Sequence, residues 1–242
     1  MLEKEIDKYL TKYGFGDFNL KAVLFDMDGV LFDSMPYHAK AWAQVCGEYG
    51  LPIEPSEPYL HEGRTGASTI DIFANRFWGR NATDKEKSDI YARKCEVFNA
   101  FPEAPRMPGA ETLLSKLKAQ GITIAVVTGS GQESLLSRLD NGYHGFFNKD
   151  LVVSSHDTPR GKPAPDPYLK GLDKCGVKPN EAVVIENAPL GVRAAVAAKV
   201  FTIAVNTGPL DPQMLLNEGA GVVFPSMQAL ADAWPLFGSD RS

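Results

Sequence analysis

Residues 21–30 read Lys21-Ala22-Val23-Leu24-Phe25-Asp26-Met27-Asp28-Gly29-Val30. The run from Ala22 to Phe25 is short, apolar, and partly β-branched or aromatic, the composition of a buried strand. It stops at Asp26 and Asp28, with Gly29 behind them. In an extended chain residues two apart point the same way, so both carboxylates face one side of the strand's end. Like charges held that close repel, and each gains from a proton or a cation. A hard divalent cation with oxygen ligands, Mg²⁺ above all, is the natural partner. Taken alone, the stretch reads equally well as a strand running into an Asp-rich turn.

Working outward, the pattern after Gly109 is alternating. Helical periodicity over 109–120, 131–140, 165–175, 189–198 and 226–234 is interleaved with apolar strand runs. Those runs fall at 122–127, 151–153, 182–185, 201–205 and 221–224. Such alternation predicts an α/β fold, a Rossmann-like doubly wound parallel sheet with both faces covered, which binds ligands at the carboxyl ends of its strands. Between Met35 and Phe101 strand-like runs are absent, and helical patterns occupy 36–49, 67–79 and 84–99. Prolines 52, 55 and 58 punctuate the first gap; Thr83 and Asp84 suit a helix start. This segment predicts a helical cap inserted after the first strand. Pro102, Pro105, Pro108 and Gly109 make a stiff re-entry. The expected division is a core of 20–34 and 104–242, a cap of 35–103, and an appendage of 1–19 carrying an amphipathic helix over 2–13. Hinges are expected near 34–36 and 101–108.

Bulk properties narrow the function classes. The 242 residues are 44% hydrophobic and 23% charged, ordinary for a globular protein. A net charge of −5 without a basic cluster argues against nucleic acid. Three widely spaced cysteines read as free thiols of a reducing compartment. No apolar run reaches the ~20 residues of a membrane span, and the acidic amphipathic start is unlike a signal peptide. A cytoplasmic monomer acting on a small molecule is the expectation. No G-x-G-x-x-G follows a strand, which argues against a dinucleotide binder.

The polar residues at the strand ends form a constellation. The first strand delivers Asp26 and Asp28; the strand at 122–127 delivers Thr128, followed by Gly129-Ser130-Gly131. The strand at 182–185 delivers Glu186 and Asn187, and the loop after 151–153 holds Gly161-Lys162-Pro163. Carboxylates, a hydroxyl beside exposed N–H groups, an amine and an acid/amide pair together suit Mg²⁺ and a phosphoryl group.

These four positions, in this order, resemble the haloacid dehalogenase superfamily, and Gly161-Lys-Pro-Ala-Pro-Asp-Pro and Glu186-Asn-Ala-Pro-Leu-Gly resemble its β-phosphoglucomutase-like branch. The resemblance runs from about residue 20 to the end. It implies Asp26 as nucleophile forming an aspartyl-phosphate and Asp28 as general acid/base. It further implies Mg²⁺ held by Asp26, the main-chain carbonyl of Asp28, Glu186 and Asn187. Phosphate would be held by Thr128, Gly129, Ser130 and Lys162. Ser130 reads also as an ordinary helix N-cap. The mutase has two adjacent acids where this chain has Glu186-Asn187. An amide ligates through oxygen but adds no charge, so another carboxylate has room to compensate.

The cap loop His61-Glu62-Gly63-Arg64-Thr65-Gly66 falls where the family sets specificity. The mutase's arginine for the second phosphate corresponds to Gly66, and Arg64 lies two residues earlier. Glu62 is expected near Mg²⁺, restricting the site to compact substrates; the competing reading is a solvated glutamate at a helix start. His38 matches a Tyr-His pair near the hinge, and Lys94 aligns with a cap lysine that meets a distal phosphate; a boundary histidine and a solvated lysine are the alternatives. Trp42, Phe73, Phe77 and Trp78 read as the cap's own core. The motif detail looks closest to the inorganic pyrophosphatases of this branch, so pyrophosphate is the favoured substrate. β-Phosphoglucomutase is the alternative, followed by a general sugar-phosphate phosphatase. A non-catalytic binding member is the reading from another class, but it is not signalled, because Asp26 and Asp28 are both present.

Overall fold

Strands β1 (Ala22–Phe25), β2 (Thr123–Val127), β3 (Val152–Val153), β4 (Ala182–Glu186), β5 (Phe201–Val205) and β6 (Val222–Phe224) form one sheet. Their order is β3-β2-β1-β4-β5-β6, and every pairing is parallel. The computed structural model describes residues 2–131 and 135–234. The central position of β1 explains its uninterrupted apolar run. Val23 and Phe25 join one core cluster with Ile124, Val126, Val183 and Ile185. Ala22 and Leu24 join the cluster on the other face with Ala125, Val127 and Val184. Fully burying a side chain such as Phe25 is worth about 1.5–3 kcal/mol.

Register then places the chemistry. Phe25 lies opposite Val126 of β2 and Ile185 of β4. The next residue on β1 is Asp26, and its neighbours one step on are Val127 and Glu186. The sheet therefore presents these carboxylates side by side at its carboxyl edge.

Eleven α-helices accompany the sheet among the described residues. They are α1 (Leu2–Tyr13), α2 (Met35–Glu48), α3 (Glu57–Leu60), α4 (Gly66–Trp78), α5 (Asp84–Asn99) and α6 (Ala110–Ala119), then α7 (Leu135–Gly142), α8 (Asp166–Cys175), α9 (Pro189–Ala197), α10 (Pro212–Asn217) and α11 (Met227–Ala233). The expected start of α7 at 131 falls partly on residues outside the described ones. Helices α2–α5 form the cap inserted after β1, with its own core of Trp42, Val45, Ile70, Phe73 and Ile90. Trp78 packs against that core, but Phe77 is exposed, with the Arg76 guanidinium 5.7 Å from its ring. Thr83 begins α5 through a capping box with Glu86. The two connections between cap and core run together: Asp33 N–H donates to Pro105 O at 2.9 Å and Met107 N–H to Leu31 O at 2.8 Å.

Helix α1 docks on its own chain. Ile6 and Tyr9 enter the main core, the Tyr9 ring lies 5.6 Å from that of Phe201, and its hydroxyl donates to Lys199 O at 2.9 Å. Among the described residues no helix is long and apolar enough to cross a membrane.

Candidate active site

Asp26 leaves β1 with its amide still paired to Ile185 O at 3.0 Å, so the strand's rigidity extends to the carboxylate. It is 4% exposed. Lys162 reaches it from the loop after β3. The ammonium lies 2.5 Å from Asp26 Oδ1 and 2.7 Å from Glu186 Oε1, and donates to Val127 O at 3.0 Å. Burial is the largest influence on Asp26. With repulsion from Glu186 and Asp28 it pushes the carboxyl up to about 8, against the pull of Lys162. Burial alone would lower Lys162, but Asp26 and Glu186 outweigh it and hold the ammonium well above its ordinary range.

Glu186 is saturated. Its Oε1 accepts from Lys162 and from the Tyr168 hydroxyl at 2.9 Å, and its Oε2 from the amides of Asn187 and Ala188 at 2.9 and 3.0 Å. Four hydrogen bonds fill the four lone-pair directions of a carboxylate. In this arrangement Glu186, expected as a metal ligand, anchors Lys162 and shapes the turn into α9.

Asp28 belongs to a different neighbourhood. Ser34 Oγ donates to its Oδ1 at 2.5 Å, and His38 Nε2 lies 3.2 Å from the same atom. Lys94 Nζ is 2.8 Å from His38 Nδ1. An ammonium only donates, so Nδ1 accepts and the imidazole proton sits on Nε2, pointing at Asp28. Burial first, then Lys94, lowers the His38 pKa and favours this neutral ring. Burial likewise pulls Lys94 down to about 8. For Asp28 burial acts upward, but His38, Arg138 and Ser34 together outweigh it and hold the carboxyl below the usual range. Lys94 is 3% exposed, which removes the solvated-lysine reading.

The cap loop closes over this edge. Glu62 reaches Asn187, whose Nδ2 lies 3.0 Å from each carboxylate oxygen. The solvated reading of Glu62 is thereby overturned: burial above all, then Asp26, raises its pKa well beyond a free glutamate's. Backbone approach permits the closure. A Cβ on Gly129 would lie 2.7 Å from Gly63 O, so the phosphate loop and the cap loop meet main chain to main chain. Thr128 is buried, its amide donating to Val153 O at 2.9 Å, and its Oγ1 accepts from the Ser130 amide at 3.1 Å. The space left between cap and core is about 80 Å³, lined by Asp26, Asp28, Glu62, Arg64, Tyr91 and Thr128 among others.

Tyr91, Ser34 and Tyr168 are site residues that the sequence reading missed. Tyr91 explains Gly66: a Cβ there would lie 2.2 Å from the tyrosine ring, so the ring fills the space a side chain at 66 would take. Its spacing from Lys94, one helical turn, was the available signal. Ser34 and Tyr168 gave none, since a buried hydroxyl reads as core until its partner is known. Arg64 lines the cavity with its Nε buried and without a hydrogen bond among the described residues, and its Nη1 lies 3.5 Å from Ser68 Oγ. His61 packs edge-on against Phe73.

The residues present suit a hard divalent cation. Asn187 Oδ1 is buried and makes no hydrogen bond among the described residues. Lys162 pairs with Asp26 and Glu186, while Glu62 is repelled by both and meets only the Asn187 amide, an excess of acids that a metal would offset. Among the described residues no three His, Cys, Asp or Glu side chains already converge as a metal site. The fit therefore rests on carboxylate, amide and main-chain oxygens together, the hard ligands that Mg²⁺ takes.

Comparison with known proteins identifies the family. Residues 20–199 match the model of the haloacid dehalogenase-like hydrolase family. The chain is 34% identical over 199 residues to hexitol phosphatase A of Escherichia coli, covering 82% of this chain and 88% of that one. It is 30% identical over 203 residues to the phosphorylated carbohydrates phosphatase of Thermotoga maritima, covering 83% and 92%. A solved structure from Bacteroides vulgatus, provisionally named a beta-phosphoglucomutase, superposes with a TM-score of 0.94 at 53% identity, covering 96% and 95%. With four strand-end motifs around one buried carboxylate and a helical cap above them, this chain belongs to the haloacid dehalogenase-like hydrolases.

Proposed function

We propose that the protein is a Mg²⁺-dependent phosphohydrolase that cleaves a small phosphorylated substrate through an aspartyl-phosphate on Asp26. The observation that carries this reading is the buried, strand-fixed Asp26 with Lys162 at 2.5 Å and the unpaired Asn187 Oδ1 nearby. In the first half-reaction Asp26 forms the bond to phosphorus and the leaving oxygen departs with a proton from Asp28. In the second, Asp28 takes a proton from water, which attacks the aspartyl-phosphate and releases phosphate with Asp26 restored. The downward shift of the Asp28 carboxyl, which favours its ionised form, suits the second step. An anionic phosphoryl group arriving beside it raises its proton affinity for the first. Lys162, Thr128 and the Gly129 and Ser130 amides would hold the phosphoryl oxygens. Asp26, the Asp28 carbonyl and Asn187 would hold Mg²⁺, which supplies charge neutralisation, with Glu62 providing the negative charge that the amide lacks. Glu186 joins them only by giving up a partner.

Two substrate classes have separate support. The named relatives act on hexitol phosphate and phosphorylated carbohydrates, so a sugar phosphate is the first reading. Pyrophosphate, favoured from the sequence, has no counterpart among those relatives. What supports it is crowding: Glu62 and Tyr91 leave a cavity of about 80 Å³, small beside the ~300 Å³ and more of ordinary ligand pockets. A mutase is disfavoured by Gly66, whose distal space Tyr91 occupies.

The test is Mg²⁺-dependent phosphate release from hexitol, hexose and pentose phosphates and from pyrophosphate, with Asp26→Asn as blank. The expected result is release from at least one class, reduced by about 10⁴-fold or more in the blank, in line with loss of a nucleophile. Equal release by the blank would remove Asp26 from the reaction. Preference for pyrophosphate by tenfold or more would reverse the order of the two substrate readings.

A further inference from the structure

Arg138, on the core helix α7, touches the site described above only through its charge on Asp28, yet it is largely enclosed at the junction of cap and core. Its side chain is 12% exposed, and Nη1 and Nη2 are fully buried without a hydrogen bond among the described residues. Nη2 lies 3.9 Å from Asp28 Oδ1, beyond hydrogen-bond range. A guanidinium left this way is expensive, and beyond the Asp28 carboxylate Arg138 has one compensating feature. It sits between two aromatic rings, 5.4 Å from the centre of Phe32 and 5.6 Å from that of Phe98.

Those two rings belong to different parts of the molecule. Phe32 is a core residue beside the hinge, bridged to Arg106 and packed edge-on against Tyr143. Phe98 lies on the cap helix α5. Its ring stacks on His38 at 4.1 Å and 18°, and Lys94 Nζ lies 4.8 Å from its centre. The sequence Phe32, Arg138, Phe98, His38 is thus one stack crossing from core to cap. Its cap end is the pair of side chains that faces Asp28.

We propose that Arg138 is a positioning residue that latches the cap in its closed state by inserting its guanidinium between Phe32 and Phe98, so that His38 and Lys94 are held at the site. Charge alone does not explain the placement, because Lys94 already supplies a cation on that side of Asp28. Two aromatic rings at 5.4 and 5.6 Å from a desolvated guanidinium do explain it, since both attract the cation. The latch acts before chemistry: when the closed form is less populated, apparent substrate affinity falls by that fraction while the closed complex reacts as before.

The KM readout of the test rests on the phosphohydrolase reading; scattering does not. Arg138→Met keeps length and removes the cation. The expected result is a KM raised about tenfold with kcat within about threefold of wild type. Small-angle scattering of the ligand-free proteins is expected to give a larger radius of gyration for the variant. Phe98→Leu should raise KM similarly, and the double variant should be no worse than the weaker single one, because both break the same stack. Arg138→Lys, which keeps the charge but not the planar stack, should fall between wild type and Met, and serves if the Met variant does not fold. Unchanged KM and radius would overturn the latch, as would a fall in kcat at constant KM. If wild type releases phosphate from nothing tested, the phosphohydrolase reading fails, and the radii of gyration still decide the latch.

Discussion

Asp26 and Glu62 are enclosed acids that repel each other, and that tension is a property to be measured at single residues. In the folded protein the Asp26 carboxyl is pushed up from 3.8 to about 8, with burial the main cause. A group raised on folding contributes stability below its unfolded value, and that contribution is lost as pH rises through its folded value. Without metal the protein should therefore become less heat-stable between about pH 4 and pH 8, and Asp26→Asn should flatten that slope. Ligands must shed protons to bind a metal, so Mg²⁺ affinity should rise over the same interval. Calorimetry should show that Mg²⁺ at about a hundredfold excess over Kd raises Tm by about 5–10 °C above pH 8, and by less near pH 6. An equal rise at both pH values would mean that these carboxylates do not hold the metal.

At the scale of elements, periodicity carries most of the information. β1 and α5 lie where their apolar spacing and the Thr83 cap put them. The short helices α3 and α10 escaped because each is a single turn or so begun near a proline, with too few residues for a period to show. Phe77 was misassigned to the cap core because the apolar arc of α4 is wider than the face it buries. For α1 the periodicity predicts an amphipathic helix without its target, and the target is the start of β5, through Tyr9 and Phe201. Tyr9→Ala should lower the unfolding free energy by about 3–5 kcal/mol in urea titrations and leave the KM for phosphate release unchanged. A changed KM would place α1 in communication with the site.

Across the whole molecule the site is bipolar. The core contributes Asp26 and Glu186 around Lys162, and the cap contributes His38 and Lys94 beside Asp28, with Glu62 crossing to Asn187 of the core. The core half was legible because parallel strands deliver consecutive motifs to one edge, so position along the chain translates into position in space. The cap half was legible only in part. Glu62 over Asn187, Tyr91 over Gly66 and Arg138 between two rings are contacts between elements far apart in sequence, and no local spacing encodes them. The central claim is that this assembly makes Asp26 the nucleophile that bonds to phosphorus, and trapping tests it most directly. The enzyme would be quenched during turnover of acetyl phosphate with Mg²⁺, reduced with borohydride, digested and read by mass spectrometry. The account predicts homoserine at position 26, formed by reduction of an acyl phosphate, and none in Asp26→Asn. Turnover with position 26 unmodified, or with the label on another residue, would contradict it.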